Sequence, residues 1–115
     1  MKVDLEKVWN NYPYAVTICD KDGILLYMNK KAESTFEKEG GRSLIGTNMF
    51  ECHSLASQMK IREMMTNGTS NTYTIEKKGQ KKLIHQAPWY EDGKVAGLVE
   101  LSIVLPAEMP HFIRG

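Results

Sequence analysis

Residues 14–29 read YAVTICDKDGILLYMN, two runs rich in β-branched and aromatic residues joined by Asp20-Lys21-Asp22-Gly23. Gly23 supplies the positive φ that a tight turn needs, so residues 14–19 and 24–28 read as a hairpin. A second acidic turn, Glu91-Asp92-Gly93-Lys94, repeats the device near the other end of the chain. Two hairpins separated by polar, helical sequence imply one antiparallel sheet with helices covering one face. That shape encloses a small cavity.

Upstream of the first hairpin, residues 4–12 place Leu5, Val8, Trp9 and Tyr12 at three- and four-residue spacing, an apolar stripe on a short helix. Asp4 is its N-cap and Pro13 ends it. Downstream, Asn29 caps a second helix running through Glu37, with Ala32 and Phe36 facing inward, and Gly40-Gly41 closes it. Ser43 caps a turn over Leu44 and Ile45 before Gly46. A third helix extends from Leu55 until Asn67-Gly68 ends it.

The rest reads as strands: 71–77, a turn at Lys78-Gly79-Gln80, 82–90, the acidic turn, and 95–104. In the last strand Val99, Leu101 and Ile103 alternate with Leu98, Glu100 and Ser102, so the first set reads as core and the second as partly wet. Pro106 and Pro110 stop regular structure. The expected organisation is a flanking helix over 1–13, a domain over 14–105 and a C-terminal tail over 106–115.

Composition narrows the function classes. At 115 residues, 42% hydrophobic and 25% charged, the chain has the size and balance of one globular domain. Fifteen basic residues against fourteen acidic ones leave a charge of +1, so no global field favours nucleic acid or an anionic membrane, and neither is expected as a partner. The apolar stretches are too short to span a bilayer, and the first residues lack the apolar core of a signal peptide. A cytoplasmic protein is expected, with Cys19 and Cys52 reduced.

The order of these signals resembles the PAS sensor family. The resemblance is carried by Asp20, Asp22 and Gly23 in the first turn, Tyr27 and Asn29 after it, and Ala32, Glu33 and Phe36 on the following helix. Leu44-Ile45-Gly46, Asp92-Gly93 and Gly97 complete it, and it spans residues 14–104. It implies an α+β fold, a five-stranded antiparallel sheet in spatial order 2-1-5-4-3 with short helices across one face and an internal pocket. Members bind haem, flavins, small carboxylates or other metabolites, or act only as pairing modules. Phe50-Glu51-Cys52-His53 followed by Ser57 resembles a Cys-His variant in PAS domains of anaerobic bacteria and archaea.

The resemblance implies a stand-alone sensor that binds a small molecule and signals to a separate protein, through the docking of its N-terminal helix or C-terminal tail. The expected pocket lies between Tyr73, His85, Val99 and Leu101 on the sheet and Phe50, Leu55 and Met59 in the cover, with Met28 and His53 also lining it. Ile75 would join the sheet side. Met49, Met59, Met64 and Met65 suit either an adaptable lid or gap-filling core. His53 either bonds the local backbone or, like His85, offers a nitrogen to haem or a metal. Strand parity alone leaves the facing of His85 open.

Cys52, His53 and the scattered Glu51, His85, Cys19 and His111 match no zinc spacing, so no metal set is assigned. Flavin photochemistry is disfavoured, because Asn48 is followed by Met49 rather than by the reactive cysteine of light-sensing relatives. With no nucleophile elbow, P-loop or Cys-His-Asn arrangement, an enzyme is not expected. The alternatives to a ligand sensor are a haem or metal sensor through His53 or His85, and a pure pairing module. Leu5, Val8, Trp9 and Tyr12 are the expected homodimer contact, with Trp9 its anchor.

Overall fold

The structure, a computed structural model, describes residues 1–115. The chain runs α1 (Leu5–Asn10), β1 (Ala15–Asp20), β2 (Leu25–Met28), α2 (Lys30–Thr35), three 3-10 turns (Glu37–Glu39, Gly41–Leu44 and Met49–Cys52), and α3 (Leu55–Asn67). It closes with β3 (Asn71–Lys77), β4 (Gln80–Glu91) and β5 (Lys94–Val104). The strands form one antiparallel sheet in the order β2-β1-β5-β4-β3, as the resemblance implies.

Local chemistry explains each junction. In the first turn Asp20 Oδ1 accepts from the N–H groups of Asp22 and Ile24, both at 2.9 Å, and Gly23 takes φ +87°. The later hairpins are two-residue turns in which both central residues have positive φ, Lys78-Gly79 and Asp92-Gly93, the geometry that matches strand twist. Asp4, Asn29 and Ser54 cap α1, α2 and α3 by accepting from Lys7, Ala32 and Ser57 N–H groups. Gly68, at φ +67°, ends α3.

The helices are shorter than their sequence patterns. α1 covers residues 5–10 and α2 stops at Thr35, the chain tightening to a 3-10 turn over Glu37–Glu39. Ser43 lies inside its turn and donates to Gly40 O rather than capping from outside.

Two apolar clusters hold the cover on the sheet. Ile61, Met64 and Met65, one face of α3, pack with Phe50, Cys19 and Leu98. Ala32 of α2 packs with Ala15, Leu25 and Met28, and Phe36, Leu44, Ile45 and Met49 lean on that group. Gly97 is required where β5 passes between Asp20 of β1 and Trp89 of β4. A Cβ there would lie 1.8 Å from Cys19 O, and the bare backbone lets the Trp89 indole cross to donate to that carbonyl at 3.0 Å.

Candidate functional site

Register sets the site. On the covered face Thr17 of β1, Glu100 of β5, Gln86 of β4 and Asn71 of β3 stand in one row across four strands. Gln86 Nε2 donates to Glu100 Oε1 at 2.9 Å, and Asn71 Nδ2 reaches Gln86 Oε1 at 3.4 Å. A polar row this deep under a helical cover must be hydrogen-bonded, and no buried side-chain nitrogen or oxygen is left without a partner.

Beside the row lies a cleft of about 400 Å³, within the size range of small-molecule sites. Phe36, Leu44 and Met49 form its cover wall, and Leu25, Met28, Tyr73, Ile75 and Ile84 its sheet wall. Glu100, His53, Cys52 and Ser102 supply polar groups, and Glu39, Lys77 and Lys82 complete the charged lining. Glu100, His53 and Met49 also border a void of about 20 Å³ with Thr17, Cys19, Phe50 and Gln86, room for about one water molecule.

The electrostatics follow from burial. Desolvation pushes the Glu100 carboxyl above the usual glutamate range, only partly offset by the Gln86 hydrogen bond and the nearby His53. Desolvation, with Glu100 adding to it, also raises the Tyr73 phenol. The buried Cys19 thiol is raised chiefly by its burial, with Asp20 and Glu100 contributing. His53 Nδ1 lies 2.7 Å from Met49 O, and since a carbonyl only accepts, Nδ1 carries the proton. In the neutral form of the ring Nε2 is then the acceptor, and it has no partner within the chain.

Of the residues expected to line the pocket, Met28, His53 and Tyr73 do so, together with Ile75. Val99 and Leu101 do not. They face the other side of the sheet, where with Val16, Ile18 and Tyr27 they meet Trp9 and Glu6 of α1 around a groove of about 480 Å³. His85 pairs with Leu101, shares that outer side, and bonds Thr72 Oγ1 at 2.8 Å. The physical reason is that α1 covers the outer face, so both faces of β5 carry apolar side chains and alternation does not identify the inside.

Leu55 and Met59 are 73% and 63% exposed, because α3 buries its Ile61, Met64 and Met65 side instead. Phe50 is buried but borders the small void rather than the cleft, stacked beneath Gly23 with the Arg62 guanidinium 4.4 Å from its ring centre. Of the four cover methionines only Met49 lines the cleft; Met64 and Met65 fill core. No three His, Cys, Asp and Glu side chains converge where they could share an ion.

Glu100, Gln86 and Ser102 are the residues that sequence reasoning missed. The available signal was their common register: a strand pairing that sets a glutamine beside a glutamate on one face marks that face as the one with a polar interior.

Asn29 ties the site to the N-terminal segment. Fully buried, its Oδ1 accepts from Val16 and Ala32 N–H groups at 3.0 Å each, and its Nδ2 donates to Trp9 O at 3.0 Å and Tyr14 O at 2.8 Å. Tyr27 Oη and Asn10 Oδ1 add a contact at 3.2 Å. α1 is therefore anchored at its C-terminal end, while Leu5, Val8, Trp9 and Tyr12 stay exposed to between 40% and 67%. No helix is long and apolar enough to cross a membrane.

No protein-family model and no curated protein matches the sequence. Solved structures do. A C-terminal domain from Streptococcus mutans is similar at 23% identity and a TM-score of 0.71, over 89% of this chain and 85% of that one. The VqmA dimer of Vibrio cholerae, solved in the absence of its target DNA and described among LuxR-type receptors, has a TM-score of 0.72 at 15% identity. That match covers 93% of this chain but 54% of VqmA, so the chain spans about half its length. The Aer2 receptor of Vibrio cholerae, a dual PAS-heme oxygen sensor, matches at 16% identity and 0.64, over 81% and 95%. At these identities the likeness is one of fold.

Proposed function

We propose that this chain, which has the PAS fold, is a sensory domain that holds a small organic molecule in the cleft between its sheet and its cover. One observation carries the reading. A cleft of about 400 Å³ has apolar walls and a few polar groups gathered at Glu100, His53 and Ser102, the composition of a ligand site rather than of a filled core.

Asn29 gives a route from occupancy to output. Its four side-chain bonds link α2, which flanks the cleft, to the backbone of Trp9 and Tyr14. A shift of α2 on ligand binding is passed to α1, whose exposed stripe of Leu5, Val8, Trp9 and Tyr12 fits a second copy of the chain. Association of a sensor with DNA, as the description of VqmA reports for that protein, is a further form the output can take.

The test is a thermal-shift screen of small metabolites against wild type and Ser102→Phe, a variant that fills the cleft. A ligand at a hundredfold excess over its Kd stabilises the folded state by roughly 2.7 kcal/mol, a shift of several degrees. Shifts confined to wild type support the reading; shifts equal in both proteins refute it.

A second reading, haem ligation, rests on the unpartnered Nε2 of His53 at the cleft wall. Haemin titration decides it. A Soret shift abolished by His53→Ala and kept in His85→Ala supports this reading, and no shift in wild type refutes it.

A further inference from the structure

With the cleft taken as the ligand site proposed above, its lining selects the chemistry of the ligand. At its inner polar end the Ser102 hydroxyl and the Tyr73 phenol can donate, while the remaining polar groups offer acceptors. Glu100 spends one carboxylate oxygen on Gln86 Nε2, and its other oxygen has no partner in the chain. His53 commits Nδ1–H to Met49 O and keeps only the Nε2 lone pair. Met49 adds a thioether, another weak acceptor.

Nor does the protein neutralise this carboxylate itself. The one ion pair in the chain joins Arg42 to Glu33, at a different place on the surface. Lys77 and Lys82, the nearest cationic side chains of the cleft, form no bond to Glu100. Since no buried side-chain oxygen lacks a partner, the second Glu100 oxygen opens on the cleft, where a cation can reach it.

The geometry points to a small organic cation, an amine or amidinium on a compact apolar body, with its N–H groups directed at Glu100 and His53 and its body against Met28, Phe36 and Ile84. Such a ligand supplies charged donors and the countercharge that the chain withholds, while the apolar walls take the rest. Burial raises the Glu100 pKa, and a cation bound beside the carboxylate lowers it again. The other titratable groups around Glu100 are His53 from the last 3-10 turn, Tyr73 from β3 and Cys19 from β1, with Lys77, Lys82 and Glu39 elsewhere on the cleft wall. Of these only His53 acts on the carboxylate as a positive neighbour, and its influence is smaller than that of burial and of the Gln86 hydrogen bond.

Three probes of one shape separate the outcomes: benzylamine, benzyl alcohol and benzoate, titrated into ¹⁵N-labelled protein and followed by amide chemical shifts. Benzylamine is expected to bind more tightly than the other two, with shifts at Met49, His53, Gln86 and Glu100. Glu100→Gln keeps the acceptor for Gln86 but removes the charge, and should weaken benzylamine about tenfold while leaving benzyl alcohol unchanged. A native-like spectrum of the variant shows that it is folded.

Benzoate binding best overturns the cation assignment in favour of an anion held by Lys77 and Lys82. Benzyl alcohol binding as well as benzylamine overturns it while leaving a ligand cleft. Shifts from none of the three, or only at the outer groove beside Trp9, overturn the assignment and count against the cleft as a ligand site.

Discussion

Gln86 and Glu100 are cross-strand neighbours whose side chains meet at 2.9 Å on the covered face of the sheet, and the amide is the only group of the chain that hydrogen-bonds the carboxylate. The bond orders the glutamine with its Nε2 toward Glu100 and its Oε1 toward Asn71, so one carboxyl group orients two amides across three strands.

Glu100 makes the folded state sensitive to pH in an unusual direction. Its folded pKa is raised by desolvation, so the folded protein binds more protons than the unfolded chain in that window. The stabilising contribution is complete below the ordinary glutamate range and is lost as pH rises through the raised folded value. Melting temperatures of wild type and Glu100→Gln across mildly acidic to neutral pH should diverge, the variant gaining relative to wild type as pH rises. Parallel curves would contradict this.

Gln86→Leu should raise the Glu100 pKa further, because the Gln86 hydrogen bond is the larger of the two influences that hold it down. A ¹³C carboxyl titration of Glu100 reads this directly. A downward shift would show that the amide does not donate to the carboxylate.

Two glycines should respond unequally to valine. At Gly23 the residue must take φ +87° and its Cβ meets the Phe50 ring at 2.5 Å; at Gly93 the φ of +77° is strained but the space is open. Gly93→Val should destabilise by about 1–2 kcal/mol from backbone strain alone, and Gly23→Val by more. Gly97→Ala should cost about 3 kcal/mol or more, since its Cβ collides with backbone rather than with a side chain that can move. Urea denaturation ranks all three.

These glycines also show what was legible in the chain. Asp20 to Gly23 and Asp92-Gly93 announce their turns because positive φ and side-chain-to-backbone bonding are local chemistry, and the strand order follows from the pattern they share with the PAS family. The cap at Asn29 was equally local. Its two bonds to Trp9 and Tyr14 carbonyls were not, because they join residues up to twenty positions apart.

The site was legible on one side only. Met28, His53 and Tyr73 border the cleft, whereas Val99 and Leu101 lie on the other face, together with His85, whose facing strand parity had left open. An amphipathic strand has a readable inside when one face is wet, and here α1 lies on the face that would have been wet. Leu55 and Met59 misled for a related reason: α3 carries apolar residues on more than one side and buries only the one set by its packing angle.

Asn29→Ala should detach α1 and destabilise the domain by about 3 kcal/mol, because four bonds are lost and the Trp9 and Tyr14 carbonyls lose a donor. Hydrogen exchange at residues 5–16 is the measure. Faster exchange confined to that segment supports a linchpin role for Asn29, and unchanged exchange removes it.

Pairing through α1 is tested by light scattering. A homodimer in wild type that Trp9→Ala converts to monomer is expected, since Trp9 keeps 42% of its surface exposed after packing on its own sheet. A monomer at high concentration would assign the exposed stripe no role in self-association.

The most direct test of the central claim is native mass spectrometry of the protein after incubation with a small-molecule cell extract and removal of unbound material. The claim predicts a discrete added mass on wild type, absent from Ser102→Phe and reduced in Glu100→Gln, with the released compound carrying a basic nitrogen. Bare protein in every case, or an added mass that persists in Ser102→Phe, would contradict it.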